Sequence, residues 1–192
     1  MELIKHLIKT SRPLFWTTHL LSIFIGAAAV VNSPLSNLKF YQAILILVFP
    51  LALFVYSVND YYDSYSDSIN GRKNSVLGLK NKADKILLIY CFISWAVIFI
   101  TLIIISPNTI PYFFVYSFLL YFYSAKPIRL KGIPIIDTLV GGAIYFASTG
   151  IIASMMISGK NFDFMNIPNG FIYLAITGII IHLLGTIIDE SC

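Results

Sequence analysis

The sequence predicts an all-α, polytopic transmembrane helix bundle, and three observations carry that reading. Hydrophobic residues make up 58% of the 192 positions, and only 11% are charged, less than half the charged share of an ordinary soluble domain. The mean hydropathy is strongly positive, at +0.83. The charges are also clustered, so that long uncharged stretches separate them.

A helix needs ~20 apolar residues to cross ~30 Å of hydrocarbon. Spans are therefore expected over 14–31, 41–58, 86–105, 110–123, 135–157 and 170–188. Lipid offers the backbone no hydrogen-bond partner, so the Ile-rich runs are expected to be helical despite their strand propensity. Residues 1–12 place Leu3, Ile4, Leu7 and Ile8 at helical spacing opposite Lys5 and Lys9. That pattern fits a short amphipathic helix on the membrane surface, and equally a frayed basic tail. The apolar stretch that follows is too long for a signal peptide and lacks a small-residue cleavage site, so the segment is expected to be retained.

With the N-terminus cytoplasmic, the inside segments hold all 13 Lys and Arg except Lys39 and Lys160. Such a bias orients a membrane protein, and it accounts for the net charge of +4 without nucleic-acid binding. Asp60, Asp63, Asp67, Asp137 and Asp189 fall on the same side. A simple anchor has no need to gather both signs of charge at one face. Cys91 and Cys192 show neither pairing nor metal-ligand spacing, and no role is assigned to them.

Asp60, Asp63 and Asp67 follow one another at i, i+3 and i+7, so a continuing helix would project them from one face. Like charges there repel, and a hard divalent cation such as Mg²⁺ would compensate them through oxygen ligands. Spacing alone also fits a solvated capping loop at a helix end. The segment between the fourth and fifth spans places Lys126, Arg129 and Lys131 among Pro127, Gly132 and Pro134. The prolines forbid a regular helix, leaving a stiffened loop. Its cations suit phosphate oxygens, although topology alone would also put positive charge there. Asp137 opens the fifth span and is expected to cap it, the alternative being to orient Arg129. His19 is expected to serve interhelical packing.

Asn59-Asp60-x-x-Asp63-x-x-x-Asp67 resembles the first Asp-rich motif of UbiA-type prenyltransferases, with Asn70 and Lys73 similar to polar residues that often follow it. Tyr123-Ser-Ala-Lys-Pro-Ile-Arg-Leu-Lys131 resembles the family's loop between helices four and five, departing at Lys126, where proline is common. His182 followed by Ile187-Ile188-Asp189-Glu190 resembles the start of the second Asp-rich motif in the lycopene elongase-like subgroup. The resemblance implies nine helices around a central cavity, so six spans would leave the domain over 1–192 without its C-terminal part. It also implies Mg²⁺-dependent transfer of a prenyl group from an isoprenyl diphosphate to a lipophilic acceptor such as a carotenoid or quinone precursor. On that resemblance Asp60, Asp63, Asp67 and Asp189 become the metal-side residues, and Arg129 and Lys131 face the phosphate. Asn59, Lys73, Tyr123, Lys126 and His182 become substrate-binding candidates. A transporter, expected to carry midplane charges and broken helices, and an inactive truncated prenyltransferase are the alternatives.

Overall fold

A computed structural model of the chain describes residues 2–70 and 85–190, with side chains over 3–63 and 85–184. Among the described residues every regular element is helical. An amphipathic α1 (Glu2–Thr10) precedes a short 3₁₀ turn over Pro13–Phe15 and then α2 (Trp16–Ala28). α3 (Leu38–Leu47) and α4 (Phe49–Asn70) follow, then α5 (Lys85–Ile105) and α6 (Ile110–Ser124). A composite α7 (Pro134–Ser158) and α8 (Asn169–Glu190) complete the described chain.

Local signals explain the boundaries. Asn37 caps α3 by accepting a hydrogen bond from the Lys39 amide at 2.9 Å, satisfying one of the donors that a helix start leaves open. Gly159 ends α7 in the left-handed region at φ 69°, where a glycine carries no steric penalty. The single expected span over 41–58 is instead two helices that meet at Val48. Pro50 is the cause: it lacks an amide donor and is accommodated in the first turn of α4, so the earlier helix ends before it. α4 then runs beyond the expected boundary and carries the first acidic motif on helix.

Three helical stretches are long and apolar enough to cross a membrane, Leu38–Asp63, Lys85–Ile105 and Pro134–Ser158. Pro13–Ala28 is a shorter apolar helix, α6 has 15 residues, and α8 is apolar over Asn169–Leu184, the part of it with described side chains. The expectation of six full spans thus meets three stretches of spanning length, two shorter helices and α8, whose 22 residues run past the described side chains. Their positions in the bundle differ. The most apolar window of Pro134–Ser158 is 78% buried, whereas that of α5 is 28% buried. α7 is therefore the central helix, and α5 presents Ile93, Ile100 and Ile104 outward, as suits a helix that is apolar all round and faces lipid.

The core is drawn from α2 through α7, with Ile23, Leu47, Leu51, Ile98, Phe113 and Ile152 all fully or almost fully buried. Small residues let the helices approach. Gly26 of α2 faces the backbone of Gly150 on α7, and Gly142 of α7 faces the backbone of Gly178 and Ile179 on α8. Helices in lipid gain little from apolar burial against one another and associate through such close packing and interhelical hydrogen bonds. His19 is one of these bonding groups, as expected: it is buried, with Nε2 2.9 Å from the Tyr145 hydroxyl and Nδ1 3.4 Å from that of Thr149. α1 exposes Leu3, Ile4 and Ile8 while Leu7 packs inward, so the N-terminal segment is helical with an outward apolar edge.

Candidate functional site

α4 delivers Asn59, Asp60 and Asp63 to one end of the bundle, and both carboxylates are buried, at 4% and 9% exposure. A buried carboxylate needs a partner or it loses its charge. Each finds a different one. Asp60 accepts from the Arg12 guanidinium, which comes from the junction between α1 and α2. Asp63 pairs with Lys131 and, at 3.4 Å, with Arg129, both from the loop between α6 and α7. Lys131 also donates to the Asn59 side-chain oxygen at 3.2 Å, and the Ser124 hydroxyl donates to the same atom at 3.1 Å.

The backbone bends at two points to bring this about. Arg12 has φ 49° and Arg129 has φ 44°, the two non-glycine residues with positive φ among the described residues. Left-handed backbone costs an L-residue about 1–3 kcal/mol where it is held by its surroundings, and both instances lie on arginines that reach the acidic motif. Arg12 further sits over the Tyr56 ring, 4.5 Å from its centroid, a cation–π contact that fixes the guanidinium between Tyr56 and Asp60.

Beside these pairs opens a cavity of about 310 Å³, at the small end of the range for ligand pockets. Its polar lining consists of Arg12, Tyr56, Asn59, Tyr123, Tyr145 and His182. The remainder is apolar or aromatic, including Phe15, Leu120 and Phe146. Tyr123 donates its hydroxyl proton to the Asp137 carboxylate at 2.6 Å. The other carboxylate oxygen lies 3.1 Å from His182 Nε2, off the axis of a hydrogen bond. The expectation that Asp137 caps its helix is therefore corrected: its side chain makes no capping bond and is taken by Tyr123 and His182 instead.

The other expected site residues are placed as follows. Lys126 is exposed in the turn after α6 and is not one of the cations that reach Asp60 or Asp63. Asp67 and Asp189 belong to α4 and α8, but their side chains lie outside the described residues, as does Lys73 altogether. Among the described residues no three His, Cys, Asp or Glu side chains gather closely enough to hold a metal ion, so Asp60 and Asp63 are the described part of the expected ligand set. Arg12 is the residue that sequence reasoning missed. It counted only as one of the inside charges, although its place directly before Pro13 at the first apolar stretch marked it as the last cation before the membrane.

Residues 19–190 match the model of the UbiA prenyltransferase family. The lycopene elongase/hydratase of Corynebacterium glutamicum is 28% identical over 194 aligned positions, covering 100% of this chain and 66% of the relative. That of Haloferax volcanii is 27% identical over 160 residues, covering 81% of this chain and 52% of the relative. That of Haloarcula japonica is 25% identical over 159 residues, covering 82% and 53%. The chain thus spans between about half and two-thirds of the length of these curated relatives. No solved structure matches. Since the family match extends over nearly the whole chain and takes in both carboxylates of α4 together with Arg129 and Lys131, which meet Asp63, this protein belongs to the UbiA prenyltransferase family.

Proposed function

We propose that this chain supplies the diphosphate-binding half of a membrane prenyltransferase that moves an isoprenyl group from its diphosphate to a lipophilic, carotenoid-type acceptor. The observation that carries this reading is the convergence of two buried carboxylates and three cations from three separate segments beside an aromatic cavity. The lycopene-directed names of the relatives favour the carotenoid class of acceptor. The positive-inside bias supports a cytoplasmic position for the site and the N-terminus.

The donor set fits Mg²⁺. Asp60 Oδ2 is a buried oxygen without a hydrogen-bond partner, and hard cations take carboxylate oxygen. Asp60 and Asp63 would hold the ion, completed by Asp67 and Asp189 as the family motifs imply, with Asn59 assisting. When bound, Mg²⁺ neutralises charge on the departing diphosphate. Lys131 and Arg129 take the phosphate oxygens from the opposite side, Arg129 through its planar fork and Lys131 as a compact charge. The apolar wall of the cavity excludes water from the allylic carbon as the carbon–oxygen bond ionises.

The test uses the full-length protein in membranes, with a panel of allylic diphosphates from dimethylallyl to geranylgeranyl and with lycopene as the acceptor. Mg²⁺-dependent diphosphate release accompanied by a prenylated carotenoid is the expected result. Absence of release from every diphosphate would reject the reading. In the same assay Arg129→Ala is expected to raise the KM for the diphosphate on the order of tenfold and to leave that for the acceptor nearly unchanged. Equal losses for both substrates would instead make Arg129 a structural residue of the loop.

A further inference from the structure

His182, Asp137 and Tyr123 form a linked set from three helices, α8, the start of α7 and the end of α6. Tyr123 and His182 line the same cavity as Arg12 and Asn59, but none of the three belongs to the carboxylate–cation pairs described above. Resting on the transfer reading above, we infer that His182 is the proton acceptor that ends the reaction with an olefinic acceptor, and that Asp137 and Tyr123 position its ring.

The chemistry demands such a group. The carbon–oxygen bond of the allylic diphosphate breaks, and its electron pair leaves with the diphosphate. The π pair of the acceptor's double bond forms the new carbon–carbon bond and leaves a cation on the acceptor. That cation becomes a stable alkene by losing a proton from the neighbouring carbon: the carbon–hydrogen pair becomes the new double bond, and the proton needs a base within reach. The cavity's polar lining holds one candidate among the described residues. Arg12 is a cation paired with Asp60, Asn59 is a non-basic amide, and Tyr56, Tyr123 and Tyr145 are phenols. His182 carries an imidazole, the one group of this lining able to act as a general base.

The geometry selects which nitrogen acts. Nε2 lies 3.1 Å from the Asp137 carboxylate, off the axis of a hydrogen bond, and the nearby negative charge favours the tautomer with its proton on that side, which leaves the Nδ1 lone pair available. Nδ1 lies along Gly141, another lining residue, where a methyl group would stand 3.0 Å from Nδ1 and 2.8 Å from both Cε1 of His182 and the Tyr123 hydroxyl. A glycine at that position keeps the edge of the ring open to the cavity. Asp137 in turn is held by Tyr123, so the orientation of the imidazole is set by two helices other than its own.

Full-length protein in membranes, given the same allylic diphosphates and lycopene, provides the test, with released diphosphate and the alkene and alcohol products measured separately. In His182→Gln the ratio of alkene to alcohol among the products formed should fall on the order of 10²-fold, whatever rate of diphosphate release the variant keeps. The alcohol arises as water adds to the undischarged cation and gives up a proton to solvent. Asp137→Asn should shift the same ratio in the same direction by less. Gly141→Ala, whose added methyl meets only side-chain ends, should repeat the shift in a fold that is otherwise intact. A ratio of alkene to alcohol that stays unchanged in all three variants would overturn the role. If the unaltered protein released no diphosphate at all, the transfer reading would fail and this role with it.

Discussion

Replacing Asp63 with alanine is expected to lower prenyl transfer by the full-length protein on the order of 10²–10³-fold, with membrane insertion and protein level unchanged. Asp63 is the carboxylate on which Lys131 and Arg129 converge. Its loss removes the negative charge that a divalent cation would use and releases two cations that were neutralised by it. Those freed cations create a competing explanation, because they could simply misplace the loop. Asp63→Asn separates the two. The amide oxygen still accepts from Lys131 and Arg129, but it offers no full charge to a metal. If Asp63 serves diphosphate-bound Mg²⁺, the asparagine variant should lose nearly as much activity as the alanine variant. If Asp63 only anchors the loop, the asparagine variant should recover most of the transfer, and the metal assignment would be withdrawn. A Mg²⁺ titration of each variant, read as released diphosphate, distinguishes these outcomes.

The second large effect concerns stability. A methyl group at Gly26 would stand 2.1 Å from the Gly150 carbonyl oxygen and 2.7 Å from its carbon. Both are backbone atoms, so no side chain can swing aside, and α2 and α7 must separate. Gly26→Ala should therefore destabilise the protein by about 1–3 kcal/mol, measured as a lower midpoint of thermal or denaturant unfolding in detergent. The same separation would pull His19 of α2 away from Tyr145 and Thr149 of α7. Loss of transfer should thus accompany loss of stability, because Tyr145 lines the cavity. A Gly26→Ala protein with an unaltered midpoint would show that the two helices are not in close contact there.

Much of the site was legible because it is written in charge. Asp60, Asp63, Arg129 and Lys131 interrupt long apolar stretches, and each such interruption must be compensated in a membrane protein. The structure brings those four together with Asn59. Local pattern was weaker where two partners are far apart along the chain. Arg12 lies 48 residues from Asp60, and no spacing rule joins an N-terminal arginine to a carboxylate at the end of α4. Asp137 looked like a helix cap because caps are local and common. Its real partners, Tyr123 and His182, sit on helices whose packing the sequence does not state. The break at Val48 was also readable in principle from Pro50, since a proline two residues into a helix is a start signal.

Composition and charge clustering by themselves determined the helical, membrane-embedded class and the apolar stretches, because hydrophobic length and the cost of charge in lipid act residue by residue, whereas the charged residues became site candidates through the motif resemblance. Only the tertiary structure decided which cation meets which carboxylate, and that His182, Asp137 and Tyr123 stand together at the cavity. Those pairings depend on how closely α2, α7 and α8 approach through Gly26, Gly150, Gly142 and Gly178, and on two left-handed turns at Arg12 and Arg129. Both are consequences of packing between distant segments, which no local pattern of residues records.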